Sequence, residues 1–233
     1  MTTKKVVQGL IVTAALCLST ASVRAQGYKF FIMGADSSLA DQRSFTERHI
    51  PYSSFYAGGG KVIVGVEAPF YKIFGVEVSY GVGPNNLEVN NTSYSYSLIK
   101  GYGVRNNRLS ADIVGHVPGV WRGIRAYGVV GVEYDDFSPT SSAKTLAKTE
   151  GFPSTTGATL SSQGEGGFNV GGGLDYKVKK KIDLRLDVRE HMFSSPTYGL
   201  PSTFTTVSTA YFPISGSAHD IEYSIGIVYR FGK

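Results

Sequence analysis

The hexapeptide EHMFSS at 190–195 sets His191 close to Ser194 and Ser195. These are the residue types of nucleophilic acyl transfer, in which an imidazole takes the proton of an attacking hydroxyl. The two groups must meet, and on an extended chain side chains two apart share a face. Phe193 stands two positions after His191 and Ser194 stands three after it, so the spacing departs from a catalytic pair. A strand histidine followed by a polar loop accounts for the segment. His116, beside Pro118, is expected to face inward and find partners there, and His49 and His219 are too scattered to make a metal site. Asp135-Asp136 suits a solvated rim better than a cation site. GYGVRN at 101–106 and GGGLDY at 171–176 are glycine-rich, but no helix follows to complete a phosphate loop. No catalytic, cofactor-binding or metal-ligating residue is therefore assigned, and the chain is expected not to be an enzyme.

The element that carries His191 is more informative than the histidine. In KIDLRLDVREHMF, 181–193, Ile182, Leu184, Leu186, Val188 and Met192 fall on one face of a strand. Asp183, Arg185, Asp187, Arg189 and His191 fall on the other, because successive side chains point to opposite sides. Seven further segments alternate in the same way, near 28–35, 56–68, 71–82, 107–117, 124–136, 166–178 and 219–231. Eight strands result, most long enough to cross a bilayer at a tilt, which takes about 9–11 residues. The connections at PFYK, HVPGVWRGI and KVKKK are tight. Those at 36–55, 83–106, 137–165 and 194–218 are long, polar and rich in Ser, Thr, Gly and Asn. Long and short alternate strictly, as in a meander whose long loops all lie at one end.

The first 25 residues read as a secretory signal peptide: basic Lys4 and Lys5, an apolar core, then Val23-Arg24-Ala25 as a small-residue cleavage site. Its removal takes away Lys4, Lys5 and Arg24 and no acid, so the formal net charge of +5 falls to +2. The basic balance is thus largely the leader's and is no nucleic-acid footprint. Cys17, the single cysteine, leaves with it. Residues 26–233 are expected to form one domain.

Alternation alone fits either a secreted lipocalin-like barrel with an apolar pocket or a membrane barrel with an apolar exterior. Three features favour the membrane. Glycines on the charged faces (Gly65, Gly75, Gly131, Gly171, Gly173, Gly226) leave room for long side chains in a narrow lumen. Aromatics such as Phe168, Tyr176, Tyr229 and Phe231 lie towards the ends of apolar faces, where interfacial girdles sit. Trp121 and Arg122, in a short turn, read as an anchor at the same interface. Lys61, Glu67, Glu77, Arg108, Asp112, Glu133, Asp135, Asp175, Lys177, Asp220, Glu222 and Arg230 interleave both signs, as a dry interior demands. A lipid-facing Arg or Lys at the midplane would cost about 2–4 kcal/mol. The charged face is therefore the lumen.

GGFNVGGGLDYKVKKKIDLRLDVRE at 166–190, the terminal IEYSIGIVYRF, the leader and the loop rhythm resemble the eight-stranded outer-membrane β-barrel family that includes the barrel domain of outer membrane protein A. The resemblance covers nearly all of residues 26–233. It implies an all-β, eight-stranded antiparallel up-and-down transmembrane β-barrel in the outer membrane of a diderm bacterium, with periplasmic termini. The last strand resembles the signal such proteins present to the outer-membrane insertion machinery, here with Gly232 and Lys233 after Phe231. The role of the peptidoglycan-binding domain that follows the barrel in outer membrane protein A is not expected to carry over. Some small outer-membrane barrels act on lipid A, and in the lipid A deacylase family the catalytic His and Ser stand two apart, a spacing EHMFSS lacks. The expected role is structural or adhesion-like, through outer loops whose aromatic and hydroxyl residues suit a protein or glycan ligand. No open pore is expected, since eight strands leave space only for side chains. The alternatives are a lipid A-modifying enzyme, a small pore and a secreted ligand-binding barrel. Expected partners are outer-membrane lipid, lipopolysaccharide and the insertion machinery, with no nucleic acid and no cofactor, the chain being a monomer.

Overall fold

The architecture was analysed in a computed structural model of the chain, which describes residues 27–39, 43–47, 50–57, 59–91, 100–149, 160–198 and 216–231. Strict two-residue alternation over long segments gives ten strands. They are β1 (Lys29–Leu39), β2 (Arg43–Glu47), β3 (Ile50–Ala57), β4 (Gly60–Tyr71), β5 (Phe74–Asn91), β6 (Lys100–His116), β7 (Ile124–Pro139), β8 (Gln163–Lys179), β9 (Ile182–Ser194) and β10 (Ser217–Arg230). One helix, α1 (Ser141–Thr149), lies between β7 and β8. Eight strands close a ring in the order β5-β4-β1-β10-β9-β8-β7-β6, with β6 returning to β5. All the pairings are antiparallel. The fold is the eight-stranded up-and-down barrel, and closure leaves the ring without an edge.

Burial follows the alternation. Along β9, Asp183, Arg185, Asp187, Arg189 and His191 are buried, while Leu186 and Val188 are exposed. Phe30, Ile32, Val62, Val64, Val66, Ile225 and Ile227 share that exterior. Phe70, Tyr71, Phe74, Trp121, Tyr176, Tyr229 and Phe231 are exposed towards one end, and Tyr80, Phe168 and Tyr223 towards the other. An aliphatic band between two aromatic girdles is what a bilayer selects. The charged face is inside, as the sequence implies.

The short connections share one end. Arg122 (φ 49°) and Gly123 (φ 85°) form the tip of the β6–β7 turn, closed by reciprocal backbone bonds between Trp121 and Ile124 (3.1 and 2.9 Å). Two positive φ angles match the right-handed twist of the flanking strands. The Arg122 guanidinium lies 5.1 Å from the Trp121 ring centroid. Lys29 pairs with both Arg230 and Glu67, so the start of β1 and the end of β10 lie at this same end.

The other end departs from the expected loops. Strands β5 to β8 run 16–18 residues, well beyond a bilayer crossing, so much of 83–106 and the flanks of 137–165 are wall rather than loop. The segment 36–55 is not a plain loop either: β2 and β3 form a hairpin that adds to β5 beyond the ring. Nor is 137–165 only a solvated loop. Thr140 caps α1, its Oγ1 accepting the Ala143 N–H at 3.1 Å, and its own N–H donates to Gly103 O at 2.9 Å. The leader, His49, and the larger parts of NNTSYSYSLIKGYG and YGLPSTFTTVSTAYF lie outside the described residues.

Glycine makes room inside, though not always for charge. At Gly171 a Cβ would lie 2.8 Å from the Arg189 Cα and 2.9 Å from its Cγ, so the arginine stem passes directly over the strand. At Gly65, by contrast, the space is filled by the Phe31 ring. Gly171→Ala is expected to destabilise the barrel by about 1–3 kcal/mol through overpacking. Gly34→Ala, where nothing lies within 4 Å, is expected to be neutral. The temperature at which the folded band converts to the unfolded band on unboiled SDS gels measures both, and equal conversion temperatures would refute the packing role of Gly171.

Candidate functional site

Among the described residues, buried chemistry-bearing side chains converge in the lumen. Ten carboxylates are buried among the described residues against five Lys or Arg side chains, so each cation must serve several acids. Arginine does this best, with five donors in a planar fork. Arg185 on β9 is fully buried and bonds Asp175 of β8 (2.8 Å), Glu77 of β5 (2.8 Å) and Glu67 of β4 (3.0 Å). Its guanidinium also lies between two rings, Tyr127 at 4.6 Å and Phe31 at 5.1 Å from their centroids.

One pleat repeat further along β9, Arg189 bonds Asp187 (2.8 Å), Asp112 (2.9 Å) and the other oxygen of Glu77 (2.6 Å). Glu77 thus bridges two arginines across the ring, since β5 lies opposite β9. Tyr127 donates to Asp187 at 2.5 Å, and Asn169 donates to Asp112 at 2.8 Å.

A third layer lies nearer the long-loop end. Arg108 bonds Asp135 (2.8 Å), Asp220 (3.0 Å) and Glu222 (3.2 Å), and Lys61 reaches Asp220 and Glu222 at 3.0 and 3.1 Å. Above it the filling turns apolar. Val104, Phe137, Ala143, Leu160, Phe193 and Tyr198 are buried, and the Phe137 and Phe193 rings lie 5.3 Å apart. The Ser161 amide and hydroxyl both donate to Tyr198 O, at 3.0 and 2.7 Å, tying the chain beyond β9 to the start of β8. A void of about 20 Å³ lies between Arg108, Arg189, His191 and Glu222, room for roughly one water.

The residues singled out in the sequence fall into place against this frame. His191 is buried, its Nδ1 bonded to Glu133 at 2.5 Å and its Nε2 3.7 Å from Glu222. Its Nε2 has no hydrogen-bond partner, so neither Ser194 nor Ser195 is paired with it. Ser194 lies on the exposed face. His116 is a lumen histidine with partners, as expected: Nε2 meets Glu67 at 2.7 Å and Lys29 at 2.9 Å. His219 pairs with Glu190 (2.9 Å) on the exterior beyond the apolar band. Asp135 and Asp136 point to opposite faces, so they do not form a rim pair: Asp135 binds Arg108 inside, while Asp136 meets Asn107 and Ser138. Lys177, expected in the lumen, is exposed at the short-turn end. No cluster of three or more His, Cys, Asp or Glu among the described residues is arranged to hold a metal ion.

The sequence reading missed Lys29, Phe31 and Tyr127. Lys29, Phe31 and Met33 occupy alternate positions of YKFFIMGA, but both faces of that segment are largely apolar, so one lysine at its start is too little to mark the inward side. Phe31, Met33, Ile63 and Val228 form an apolar cluster in the lumen.

The fold defines a small transmembrane barrel whose interior is lined by paired charges. The chain belongs to the family described by the outer membrane protein β-barrel domain, whose sequence profile matches residues 12–231. Membership implies the outer membrane as its location. No curated protein matches the sequence significantly. Among solved structures, the outer membrane protein OprG from Pseudomonas aeruginosa is similar in fold at 14% identity and a TM-score of 0.61, covering 90% of this chain and 98% of that one. Neisserial surface protein A matches at 15% identity and 0.51, covering 90% and 100%. Outer membrane protein AlkL, determined in lipid bilayers, matches at 14% and 0.51, covering 92% and 94%.

The layered network gives a direct test. Arg185→Met leaves Glu67, Glu77 and Asp175 without their shared cation, and stability is expected to fall by about 3–5 kcal/mol, the usual cost of breaking a buried ion pair from one side. Adding Glu77→Gln is expected to restore part of the loss. The gel-shift temperature reads both, and an Arg185→Met barrel as stable as the parent would refute the network's structural role.

Proposed function

We propose that the protein is a monomeric outer-membrane barrel with no open pore, acting structurally or by surface contact at its long-loop end. The short turns, the start of β1 and the end of β10 face the periplasm. The long connections face outward, in contact with lipopolysaccharide and with a protein or glycan ligand. The observation that carries this reading is the double filling of the lumen, by three layers of ion pairs and then by buried apolar side chains that include the Phe137–Phe193 ring pair. A conduit would need a continuous wet path, and side chains from opposite strands occupy it here.

A second observation supports contact at the outer end. Wall, hairpin and capped helix together extend the chain far past the membrane band, and a crossing needs none of that material. The barrel supplies the rigid mount and the connections the variable surface, the usual division between scaffold and binding loops. The last strand delivers the chain to the insertion machinery.

Two measurements test the reading. Planar bilayers containing the purified barrel are expected to show no steady single-channel conductance, and a stable open level in wild-type protein would overturn the closed-lumen assignment. Replacing residues 142–158 by a short Gly-Ser linker is expected to keep the gel shift while reducing binding of expressing cells to protein and glycan arrays at least about fivefold. Equal binding by parent and variant would remove the α1 connection from the contact surface.

A further inference from the structure

We infer that the short-turn end of the barrel is a binding cup for phosphate-bearing anions. A blind vestibule of about 610 Å³ opens there, the size of a small-molecule site. Its inner wall includes the lowest layer of the lumen network, Lys29, Glu67 and His116, and its rim is built from the three short turns. Seven Lys or Arg side chains line it, against one carboxylate, Glu67.

The charges inside the barrel are shared out, and those of the cup are not. Glu67 is already bound by Lys29, His116 and Arg185. Asp175 and Asp183, the cross-strand neighbours of Arg125 and Lys177, are committed to Arg185 and Lys29 and to Arg230. Lys72, Arg125, Lys177, Lys180 and Lys181 therefore face the cup with no ion-pair partner among the described residues. The wall also holds polar groups left over from the network: His116 Nδ1 and Arg230 Nε are both buried without a hydrogen-bond partner. Five unpaired cations held around one concavity repel one another, and a multiply charged anion relieves that repulsion. One carboxylate neutralises a single charge, whereas a di- or polyphosphate neutralises several and accepts from both Lys and the Arg fork.

The ligand class has two sources. Phe74 and Phe231 border the cup and belong to the aromatic girdle, so a phospholipid headgroup lies within reach of the same cations. A soluble phosphate ester would enter from the aqueous side. The shared chemistry is the phosphate group.

The chain's single tryptophan, Trp121, sits next to Val120 on the rim and serves as the reporter. Inorganic pyrophosphate titrated into the folded barrel in dodecyl maltoside is expected to change Trp121 emission saturably. In Lys177→Gln/Lys180→Gln/Lys181→Gln the apparent Kd is expected to rise at least about tenfold, as loss of even one charge-assisted bond would produce. Those lysines are exposed, and a retained gel shift certifies the variant's fold; Arg125→Gln provides a second variant with the same expected direction. Arg105→Gln/Lys144→Gln, which removes charge at the opposite end, is expected to leave binding unchanged. A silent pyrophosphate titration with an emission change in phosphatidylglycerol over phosphatidylcholine nanodiscs, lost in the triple variant, assigns the cup to a lipid headgroup. No response to either probe, or a response equal in parent and triple variant, overturns the proposal. So does a response that the same ionic strength of sodium chloride reproduces.

Discussion

The interior of an eight-stranded ring is too narrow for water to solvate the charges it contains, so every charge there must be answered by another side chain. The rest of the structure follows from that constraint. Alternation sends apolar residues to lipid and charged residues inward, and the acids outnumber the cations among the buried positions. The deficit is met by sharing: Arg185 serves three carboxylates, Arg189 three and Arg108 four, while Glu77 and Glu222 each serve more than one cation. Lysine could not take Arg185's place, because an ammonium offers neither the flat fork nor the faces that Tyr127 and Phe31 cover.

The interior changes character along its axis. Ion pairs with interspersed aromatics fill the membrane-depth portion, an aromatic and aliphatic cluster fills the long-loop end, and a cationic cup occupies the short-turn end. The first and second occupy the lumen by different means. The apolar cluster lies where the wall has risen past the girdles, so it acts as an ordinary hydrophobic core beneath α1 and the chain after β9. The third region has cations without matching acids, and there the molecule has chemistry left to offer a ligand.

Much of this was legible in the sequence because a strand's two faces can be read directly when they differ in kind. KIDLRLDVREHMF separates charge from aliphatic residues without ambiguity, and the lumen positions of Asp183 to His191 follow from it. Legibility failed where the faces are alike or where only three-dimensional packing decides. YKFFIMGA hides Lys29 and Phe31 among apolar neighbours. The wall above the membrane went unread because polar strands in NNLEVNN and KGYGVRN lose the apolar face that marks a crossing. The helix in SSAKTLAKT was masked by its Ser and Thr content, although Thr140 gives it a standard cap. The cup was not legible at all, because its cations come from three turns distant in sequence and gather only when the ring closes.

The bridge made by Glu77 also governs the order in which the chain can assemble. Its two arginines come from β9, and β5 and β9 stand on opposite sides of the finished ring, more than a hundred residues apart in the chain. No hairpin or partial sheet can make that contact. Pairs between neighbouring strands, such as Arg185–Asp175 and Arg108–Asp135, can form in a partial sheet, but until β1 pairs with β10 the bridge from Glu77 to Arg185 and Arg189 stays open to water. The partly assembled sheet must therefore keep that part of its inner face wet while the outer face enters lipid. Closing the ring and burying the Glu77 bridge are thus one event, and the last strand to pair completes the charge network as well as the wall.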